Sequence, residues 1–413
     1  MATLSDGAFR FLSLCAQPPG SAVVAQRLPS ALSAVPSFDE LATAAEQHGM
    51  EPLVLAHIER TALPIPADLR ARLRARQTQH AHAAAVRTRI VADVNCAMAK
   101  AGVPFLVLKG AALAHLVYGD PRLRPMRDVD LLIRKADSGR ALDALLRCGF
   151  RPGGIAVPSR HHHLQAMVKT MEGATVTIEL HHELIVRTPF VEPRGYDDLI
   201  HRSQPLEWGG MSCRTLGCED MLWHVYAHAF VINTLRPGAI RLLSVADVVH
   251  TTEAWIDRID WARIRREYPR MLRALHVLHD LVPWSPHVAE VLLVRRSPQG
   301  GGGRAYPIDS APHWSAALIP DVLWLPEWWF RMRYGITTWP RWVWFRAVGH
   351  PARLALSARG AVMARLPGWF ESPSPESRVP SHSEGEGHTH EYAERLRRMP
   401  LVNARIRPET RPR

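Results

Sequence analysis

The segment DVDLLI, residues 128–133, carries two aspartates with the type and spacing of a divalent-cation site. Its apolar residues alternate as they do in a strand, where successive side chains point to opposite faces. Asp128 and Asp130 are therefore predicted to lie on one face, roughly 7 Å apart at the backbone. Two like charges at that distance are costly unless a cation lies between them. Mg²⁺ or Mn²⁺ is bound in this way by carboxylates, water and substrate phosphates, and this is the chemistry that the pair predicts.

A third carboxylate is predicted on a later strand. In TVTIELH, residues 175–181, the side chains of Val176, Ile178 and Leu180 share one face and are expected in the core. Glu179 then lies on the other face, as a partner for the aspartate pair. Its predicted role is to hold the metal ion nearest an attacking hydroxyl, or to accept the proton of that hydroxyl.

A phosphate site is predicted where the strand FLVLK passes into a helix near residue 111. Backbone N–H groups at a helix start carry partial positive charge, and Gly110 has no side chain to obstruct a phosphate. Lys109 adds a mobile cation. Arg124 and Arg127, just before the aspartates, are placed to clamp phosphate oxygens with two hydrogen bonds each.

Hydrophobic periodicity predicts the elements that position these residues. From about residue 103, short apolar runs typical of strands alternate with helical stretches, whereas the chain before and after this part has helical spacing. The predicted fold class is α+β, with a small mixed-sheet core flanked by N- and C-terminal helical regions. The predicted divisions are an N-terminal helical region over 1–100, the core over 101–212, a C-terminal helical bundle over 213–296, a linker over 297–312, a Trp- and Arg-rich segment over 313–371 and a disordered tail over 372–413.

This order of features resembles the DNA polymerase beta-like nucleotidyltransferase superfamily, in which a strand, a glycine-led helix and an Asp-x-Asp strand precede a strand with one carboxylate. More narrowly, LKGAALAHLVYGDPRLRPMRDVDLLI and IELHHEL are similar to an uncharacterised bacterial nucleotidyltransferase family. The upstream segment HGMEPLVLAHIER resembles the helical lead-in of that family. The resemblance therefore covers about residues 40 to 290.

The resemblance implies an activity and roles for the residues. It implies that an NMP is transferred from an NTP, most simply ATP, to a hydroxyl or phosphate acceptor by a two-metal mechanism with Mg²⁺ or Mn²⁺. Asp128, Asp130 and Glu179 would be the metal ligands, with Lys109 and Gly110 at the triphosphate. The acceptor class implied is a small molecule, sugar or peptide of a biosynthetic pathway. Because Glu179 stands where aspartate is more usual, an inactive nucleotide-binding or scaffold protein of the same fold is the alternative.

Several histidines receive a structural interpretation. Three consecutive ones at 161–163, with Glu172 and Glu183 nearby, suggest zinc, but consecutive side chains are expected to point in different directions. A surface loop is therefore favoured. His224 and His228, one helical turn apart, are expected to be packed or hydrogen-bonded within an apolar helix.

Two charged residues have competing interpretations. For Arg124, a salt bridge with Asp120 or Asp128 is as plausible as a phosphate contact. Asp247, polar within an apolar helix, is expected to pair with Arg241 more readily than to reach a nucleotide or acceptor.

Composition makes some partners less favoured. The 51 basic and 39 acidic residues give a net charge of +12, but only four of the basic residues are lysine. Because the basic residues are spread along the chain, a nucleic-acid partner is not favoured. Five scattered cysteines form no disulfide framework and indicate a cytoplasmic protein. The Trp- and Arg-rich stretch 313–346 admits contact with a membrane surface, but prolines interrupt it and packing against the main domain explains it equally well.

Overall fold

A mixed β-sheet surrounded by helices organises the chain, as the predicted α+β class requires. The computed structural model describes residues 4–153, 161–185, 194–231, 241–293 and 327–363. The predicted linker over 297–312, the stretch 313–326 of the Trp- and Arg-rich segment and the predicted tail over 372–413 lie outside the described residues.

The sheet has seven strands in the order β3-β4-β5-β2-β1-β7-β6. Their bounds are β1 Phe105–Val107, β2 Asp128–Ile133, β3 Arg151–Pro152, β4 Met167–Met171, β5 Ala174–His181, β6 Gln204–Trp208 and β7 Met211–Thr215. Strand β2 runs parallel to β5 and antiparallel to β1, and β1 runs parallel to β7. The remaining neighbours are antiparallel. The predicted strands over 105–108, 129–133 and 175–181 are thus confirmed, and the first two are adjacent in the sheet.

Helices precede the sheet, as their apolar spacing predicts. They are α1 Asp6–Leu14, α2 Ala22–Ala25, α3 Leu28–Ser33, α4 Phe38–His48, α5 Glu51–Arg60 and α6 Ala67–Lys100. Proline cannot continue a helix without loss of a hydrogen bond, and Pro64 and Pro66 lie in the break between α5 and α6. Helix α6 is 34 residues long and packs against α5, α8 and β5.

Within and after the sheet the helices are α7 Lys109–Leu116, α8 Ser138–Arg147, α9 Tyr196–Leu199, α10 Cys218–Phe230, α11 Leu242–Trp255, α12 Trp261–Glu267, α13 Pro269–Leu281, α14 Pro286–Val291, α15 Glu327–Tyr334, α16 Trp339–Trp344 and α17 His350–Met363. Short 3₁₀ segments occupy Pro121–Leu123, Lys135–Asp137 and Ile200–Arg202, and a π-helical turn spans Phe345–Gly349. Helices α10 and α11 pack together, and both contact α7. This contact brings the C-terminal helices to the predicted phosphate turn.

The centre of the sheet is buried on both faces. In β2 every residue from Val129 to Ile133 is buried, whereas Asp128 at the strand start is exposed. Burying a Val, Leu or Ile side chain contributes about 1.5–3 kcal/mol, so this strand is anchored firmly by its apolar residues. Asp130 is only 3% exposed, which places one carboxylate of the predicted pair in the protein interior.

Candidate active site

The predicted phosphate turn begins with a strained residue. Lys109 follows β1 and opens α7 with a φ of +41°, in the left-handed region that costs a residue with a Cβ about 1–2 kcal/mol. Its Nζ lies 3.2 Å from Oδ2 of Asp130, and both side chains are largely buried. Such strain persists where surrounding interactions fix the conformation, commonly at functional sites. Here the strained turn places an ammonium against a buried carboxylate.

Strand register brings two of the predicted carboxylates together. In the parallel pair of β2 and β5, Asp130 lies opposite Glu179. His181, two residues further on the same face of β5, places Nε2 2.8 Å from Oδ1 of Asp130 and 3.6 Å from Oε2 of Glu179. The structure therefore assembles Asp130, Glu179 and His181 into one cluster, and Asp130 joins it to the ammonium of Lys109. Asp128 lies on the same strand at the exposed edge of this cluster.

The pKa values of the two aspartates are shifted in opposite directions. Burial alone would raise the pKa of Asp130, but the ammonium of Lys109 and the hydrogen bond from His181 hold it well below its usual value. Desolvation and the neighbouring charge of Asp130 instead raise the pKa of Asp128. The hydrogen bond with His181 lowers the pKa of Glu179. Asp130 and Glu179 are thus ionised at neutral pH beside a third acid, as a cation site requires.

The donor set fits a divalent cation. Asp130, Glu179 and His181 each offer a ligand atom, and these atoms lie within 4.8 Å of one another. The two bonded oxygens of Asp130 keep acceptor capacity, because a carboxylate has about four lone-pair sites. With Asp128, three carboxylates act on the ammonium of Lys109. Burial would lower the pKa of His181, but its hydrogen bonds to Asp130 and Glu179 raise it. A divalent cation would offset the repulsion among the carboxylates.

His181 is a site residue that the sequence analysis missed, although it shares the strand face of Glu179. Its Nδ1 is buried without a hydrogen-bond partner among the described residues. Metal-ligating histidines usually donate from their second ring nitrogen. His181 is therefore better described as positioning Asp130 and Glu179 through Nε2 than as a ligand.

Arg124 lies over the turn glycine and is held by a helix of the C-terminal region. Its Nε and Nη2 donate to the two oxygens of Asp247 at 3.0 and 2.7 Å. Burial would lower the pKa of Arg124, but the carboxylate of Asp247 outweighs it and raises the pKa. A Cβ added to Gly110 would lie 2.0 Å from Nη1 of Arg124. The open space at Gly110 thus accommodates the guanidinium in this structure.

The expected pair of Asp247 and Arg241 is wrong. Asp247 accepts from Arg124 and also from the hydroxyl of Tyr118, at 2.8 Å, while Nε of Arg241 donates to the carbonyl oxygen of Gln47. The physical reason is burial: Asp247 is 5% exposed, and a buried carboxylate needs charged or hydroxyl donors at close range. Arg124 pairs with Asp247 in place of the suggested partners Asp120 and Asp128.

Two further arginines flank the aspartates. Arg127 is exposed, so its guanidinium faces solvent beside the cluster. Arg87 of α6 is buried, and it donates to the carbonyl oxygen of Met126 at 3.0 Å. Burial and the charge of Arg124 lower the pKa of Arg87 to about 10, against an opposing effect of Asp128. Arg87 was not predicted as a site residue, because it lies in a helix with many other arginines.

The two histidines of α10 pack beside the site, as expected for an apolar helix. His224 is fully buried. Burial and the charge of Lys109 lower the pKa of His228 to about 3. The same two causes hold the pKa of His224 well below its usual value. Both are therefore neutral beside the ammonium of Lys109.

The three consecutive histidines lie in a partly buried loop. His161, His162 and His163 are half-buried, and their rings converge with centroids 4.2–4.6 Å apart. The expectation that they point in different directions is wrong, because the chain bends at 161 and 162 and brings the rings together. Glu172, expected near them, lies in the β4–β5 turn and pairs with Arg89.

Comparison with known proteins gives one match. The model of a family described as uncharacterised nucleotidyltransferase matches residues 36–280, which is more than half of the chain. No curated protein and no solved structure gives a significant match. Among the described residues, every helix is too short or too polar to span a bilayer.

Proposed function

Because the chain belongs to this family of uncharacterised nucleotidyltransferases, we propose that it transfers an NMP from an NTP to a hydroxyl or phosphate acceptor and releases pyrophosphate. The observation that carries the proposal is the register of β2 and β5, which sets Asp130 beside Glu179 against the strained turn at Lys109. These are the charges that such a transfer needs on one rigid surface.

In the proposed step, an acceptor oxygen attacks the α-phosphorus of the NTP. The bond from that phosphorus to the oxygen bridging to the β-phosphate breaks, and pyrophosphate leaves with the electron pair. When the acceptor is a hydroxyl, its proton must be removed. Glu179 is the candidate for this, because its carboxylate is ionised and, unlike Asp130, is 24% exposed and so accessible to an acceptor.

Asp128, Asp130 and Glu179 would hold Mg²⁺ or Mn²⁺. A bound divalent ion of this kind offsets the charge that develops on the attacking and leaving oxygens. His181 would keep the carboxylates of Asp130 and Glu179 in place, since its single Nε2 contacts both. A two-metal arrangement and the choice of ion are parts of the proposal, as is ATP as the NTP.

The basic residues would bind the triphosphate. Arg127 faces solvent and is free to reach phosphate oxygens. Lys109 would exchange part of its contact with Asp130 for phosphate contact when a metal ion neutralises the carboxylate. Arg124, engaged by Asp247, would chiefly fix the backbone N–H groups of the turn at Gly110, which can donate to phosphate.

The proposed partners are an NTP and a small-molecule, sugar or peptide acceptor, with no nucleic acid, and the proposed location is the cytoplasm. For membrane contact, the described part of the Trp- and Arg-rich segment gives two observations. Phe330, Met332 and Tyr334 of α15 are buried in the core, and the hydroxyl of Tyr226 donates to the carbonyl oxygen of Met332. Trp339 and Trp344 are 70% and 54% exposed. Packing thus accounts for α15, and a membrane contact through 313–346 stays unfavoured.

One observation favours a second candidate, a nucleotide-binding or scaffold protein without turnover. Both oxygens of Asp130 are already bonded, to Lys109 and to His181. If that ammonium cannot be displaced, it occupies the position that a metal ion needs. Such a protein would bind Mg²⁺–ATP without forming a product.

The test is a search for the product. We expect purified protein incubated with mixed NTPs, Mg²⁺ and a cell extract to yield a nucleotidylated species detectable by mass spectrometry. Asp130→Asn should abolish this product while its thermal melting shows a folded protein, whereas the control Asp197→Asn, at an exposed carboxylate, should retain it. Calorimetric binding of Mg²⁺–ATP without any product would favour the second candidate. Full activity of Asp130→Asn would refute the proposed role of the carboxylates.

A further inference from the structure

Three histidines beside the carboxylate cluster form a nitrogen-rich group that the proposed transfer does not use. His161, His162 and His163 each offer a ring nitrogen, and these atoms lie within 4.8 Å of one another. Imidazoles packed this closely repel one another when protonated. A divalent cation between neutral rings removes that repulsion.

Hydrogen bonding prepares His163 as a ligand. Its Nδ1 lies 2.7 Å from the carbonyl oxygen of Leu164, which can only accept, so Nδ1 carries the proton and Nε2 carries the lone pair. A metal-ligating histidine is usually oriented in this way by a backbone carbonyl or carboxylate. The same Nε2 lies 4.0 Å from Oε2 of Glu179, so a lone pair and a carboxylate face each other across the space for a cation.

The other two rings have nitrogens without partners. Nδ1 of His161 and Nδ1 of His162 are buried and make no hydrogen bond with the described residues. A buried polar atom left without a hydrogen bond carries a free-energy cost. A metal ion that binds these atoms would remove that cost.

The backbone of this segment is fixed against the sheet. The amide of Leu164 donates to the carbonyl oxygen of Leu180, and the amide of His182 donates to that of His162, both at 2.8 Å. His163 forms a bridge with His181 of β5. The three rings are therefore presented by an ordered backbone, so only side-chain rotation is needed for binding.

From these contacts we infer that His161, His162 and His163 bind a transition-metal ion of the Zn²⁺ class, with Glu179 as a carboxylate shared with the catalytic cluster. Imidazole nitrogens suit Zn²⁺, Co²⁺ and Ni²⁺, whereas Mg²⁺ prefers oxygen. Ligands of a tetrahedral zinc lie about 3.3 Å apart when each bond is about 2.0–2.1 Å. The 4.0 Å between His163 and Glu179 is close to that spacing.

Zinc binding tests the site without any NTP, so its outcome is independent of the proposed transfer. Full-length protein stripped with a chelator and held in excess Mg²⁺ is titrated with Zn²⁺ by calorimetry. We expect one equivalent to bind, with zinc X-ray absorption showing nitrogen ligands at about 2.0–2.1 Å. In His161→Asn/His163→Asn the affinity should fall at least about 100-fold, since loss of outer hydrogen bonds alone costs 10–100-fold.

Two controls locate the ion. His182→Asn removes the next histidine, whose ring bonds to Ser138 outside the cluster, and should leave zinc affinity unchanged. Asp130→Asn should retain the zinc, because Asp130 belongs to the carboxylate cluster alone. If the double variant does not fold, the single variants His161→Asn and His162→Asn should each weaken binding about 10-fold. Absence of zinc binding by the wild type, unchanged binding in the variants of His161, His162 and His163, or loss of binding in Asp130→Asn would each overturn the inference.

Discussion

Gly110 lies directly beneath the guanidinium of Arg124, and this contact can be tested by adding one methyl group. In Gly110→Ala the new Cβ would lie 2.0 Å from Nη1 of Arg124, so the guanidinium must shift. Overpacking of this kind costs about 1–3 kcal/mol, and urea unfolding should show that loss. Gly139→Ala in α8 is the matched control, because nothing lies within 4 Å of its Cβ. That change should be neutral or stabilising by up to about 1 kcal/mol. An equal loss in both variants would contradict the proposed contact.

Asp247 is the charge that keeps Arg124 in place. Asp247→Asn keeps the shape of the side chain but leaves the buried guanidinium without its counter-charge, and breaking a buried ion pair costs about 3–5 kcal/mol. We expect a loss of that size in the free energy of unfolding. The exposed pair of Asp257 and His287 supplies the control, since Asp257→Asn should cost below about 1 kcal/mol.

A double variant distinguishes a direct contact from two independent effects. If Gly110→Ala already displaces Arg124 from Asp247, the losses of Gly110→Ala and Asp247→Asn should not add, with a coupling of about 0.5–3 kcal/mol. Additive losses would mean that the two positions act separately.

At the scale of elements, a buried histidine on α5 predicts how stability depends on pH. Nε2 of His57 donates to the carbonyl oxygen of Gln17 at 2.9 Å, which joins α5 to the segment after α1. Burial lowers the pKa of His57 from 6.5 to about 4. Because the folded pKa is the lower one, this contribution to stability is present above pH 6.5 and is lost as the pH falls towards 4.

The expected loss over this pH interval is about 3 kcal/mol from His57, at about 1.4 kcal/mol for each unit of pKa. Unfolding free energies measured by urea at a series of pH values should show it. In His57→Gln the decline between pH 6.5 and 4 should shrink by about that amount. The variant His287→Gln, at an exposed site, should keep the wild-type slope. An unchanged slope in His57→Gln would show that other groups cause the decline.

Strand alternation predicted the local geometry of the site, but partners distant in sequence could not be predicted. The spacing of Asp128, Asp130 and Glu179 indicated the faces of β2 and β5, and the structure brings Asp130 beside Glu179 as expected. Hydrophobic periodicity indicates which face of a helix or strand is buried, but it does not indicate which residues pack against that face. It therefore could not identify Asp247, on a helix far along the chain, as the partner of Arg124.

The hairpin of β6 and β7 carried a signal that the sequence analysis did not use. Gly209 and Gly210 both have positive φ, at 60° and 79°, and a Gly-Gly pair between alternating residues is typical of a two-residue hairpin turn. For the three histidines at 161–163, consecutive side chains were expected to point in different directions, whereas bends at 161 and 162 bring the rings together.

At the scale of the whole molecule, the two helical regions are joined by a polar network. Nε2 of Gln17, after α1, donates to Glu253 of α11 and to the carbonyl oxygen of Pro283. The backbone amide and hydroxyl of Ser285, before α14, donate to the same carboxylate at 2.9 and 2.6 Å. Glu253 thus ties the start of the chain to its C-terminal helices.

Removal of this carboxylate should loosen the N-terminal helices. Hydrogen bonds to charged groups contribute about 1.5–3 kcal/mol each, so Glu253→Ala should lower the free energy of unfolding by at least about 2 kcal/mol. Hydrogen exchange should accelerate over residues 6–17. Glu59→Ala, at an exposed pair with Arg74, should change stability by less than about 1 kcal/mol. Unaltered exchange in Glu253→Ala would argue against the network as a link.

The contact between Arg124, above the turn at Gly110, and Asp247 of α11 limits how far the chain can be shortened. Arg124 lies in the sequence between strands β1 and β2. The carboxylate that pairs with it, Asp247, lies more than a hundred residues later. A truncated polypeptide ending before residue 241 would leave that guanidinium without a counter-charge above the turn at Gly110, the proposed triphosphate site. We therefore expect such a fragment to be poorly folded, so any fragment used to test the proposed transfer must extend through α11.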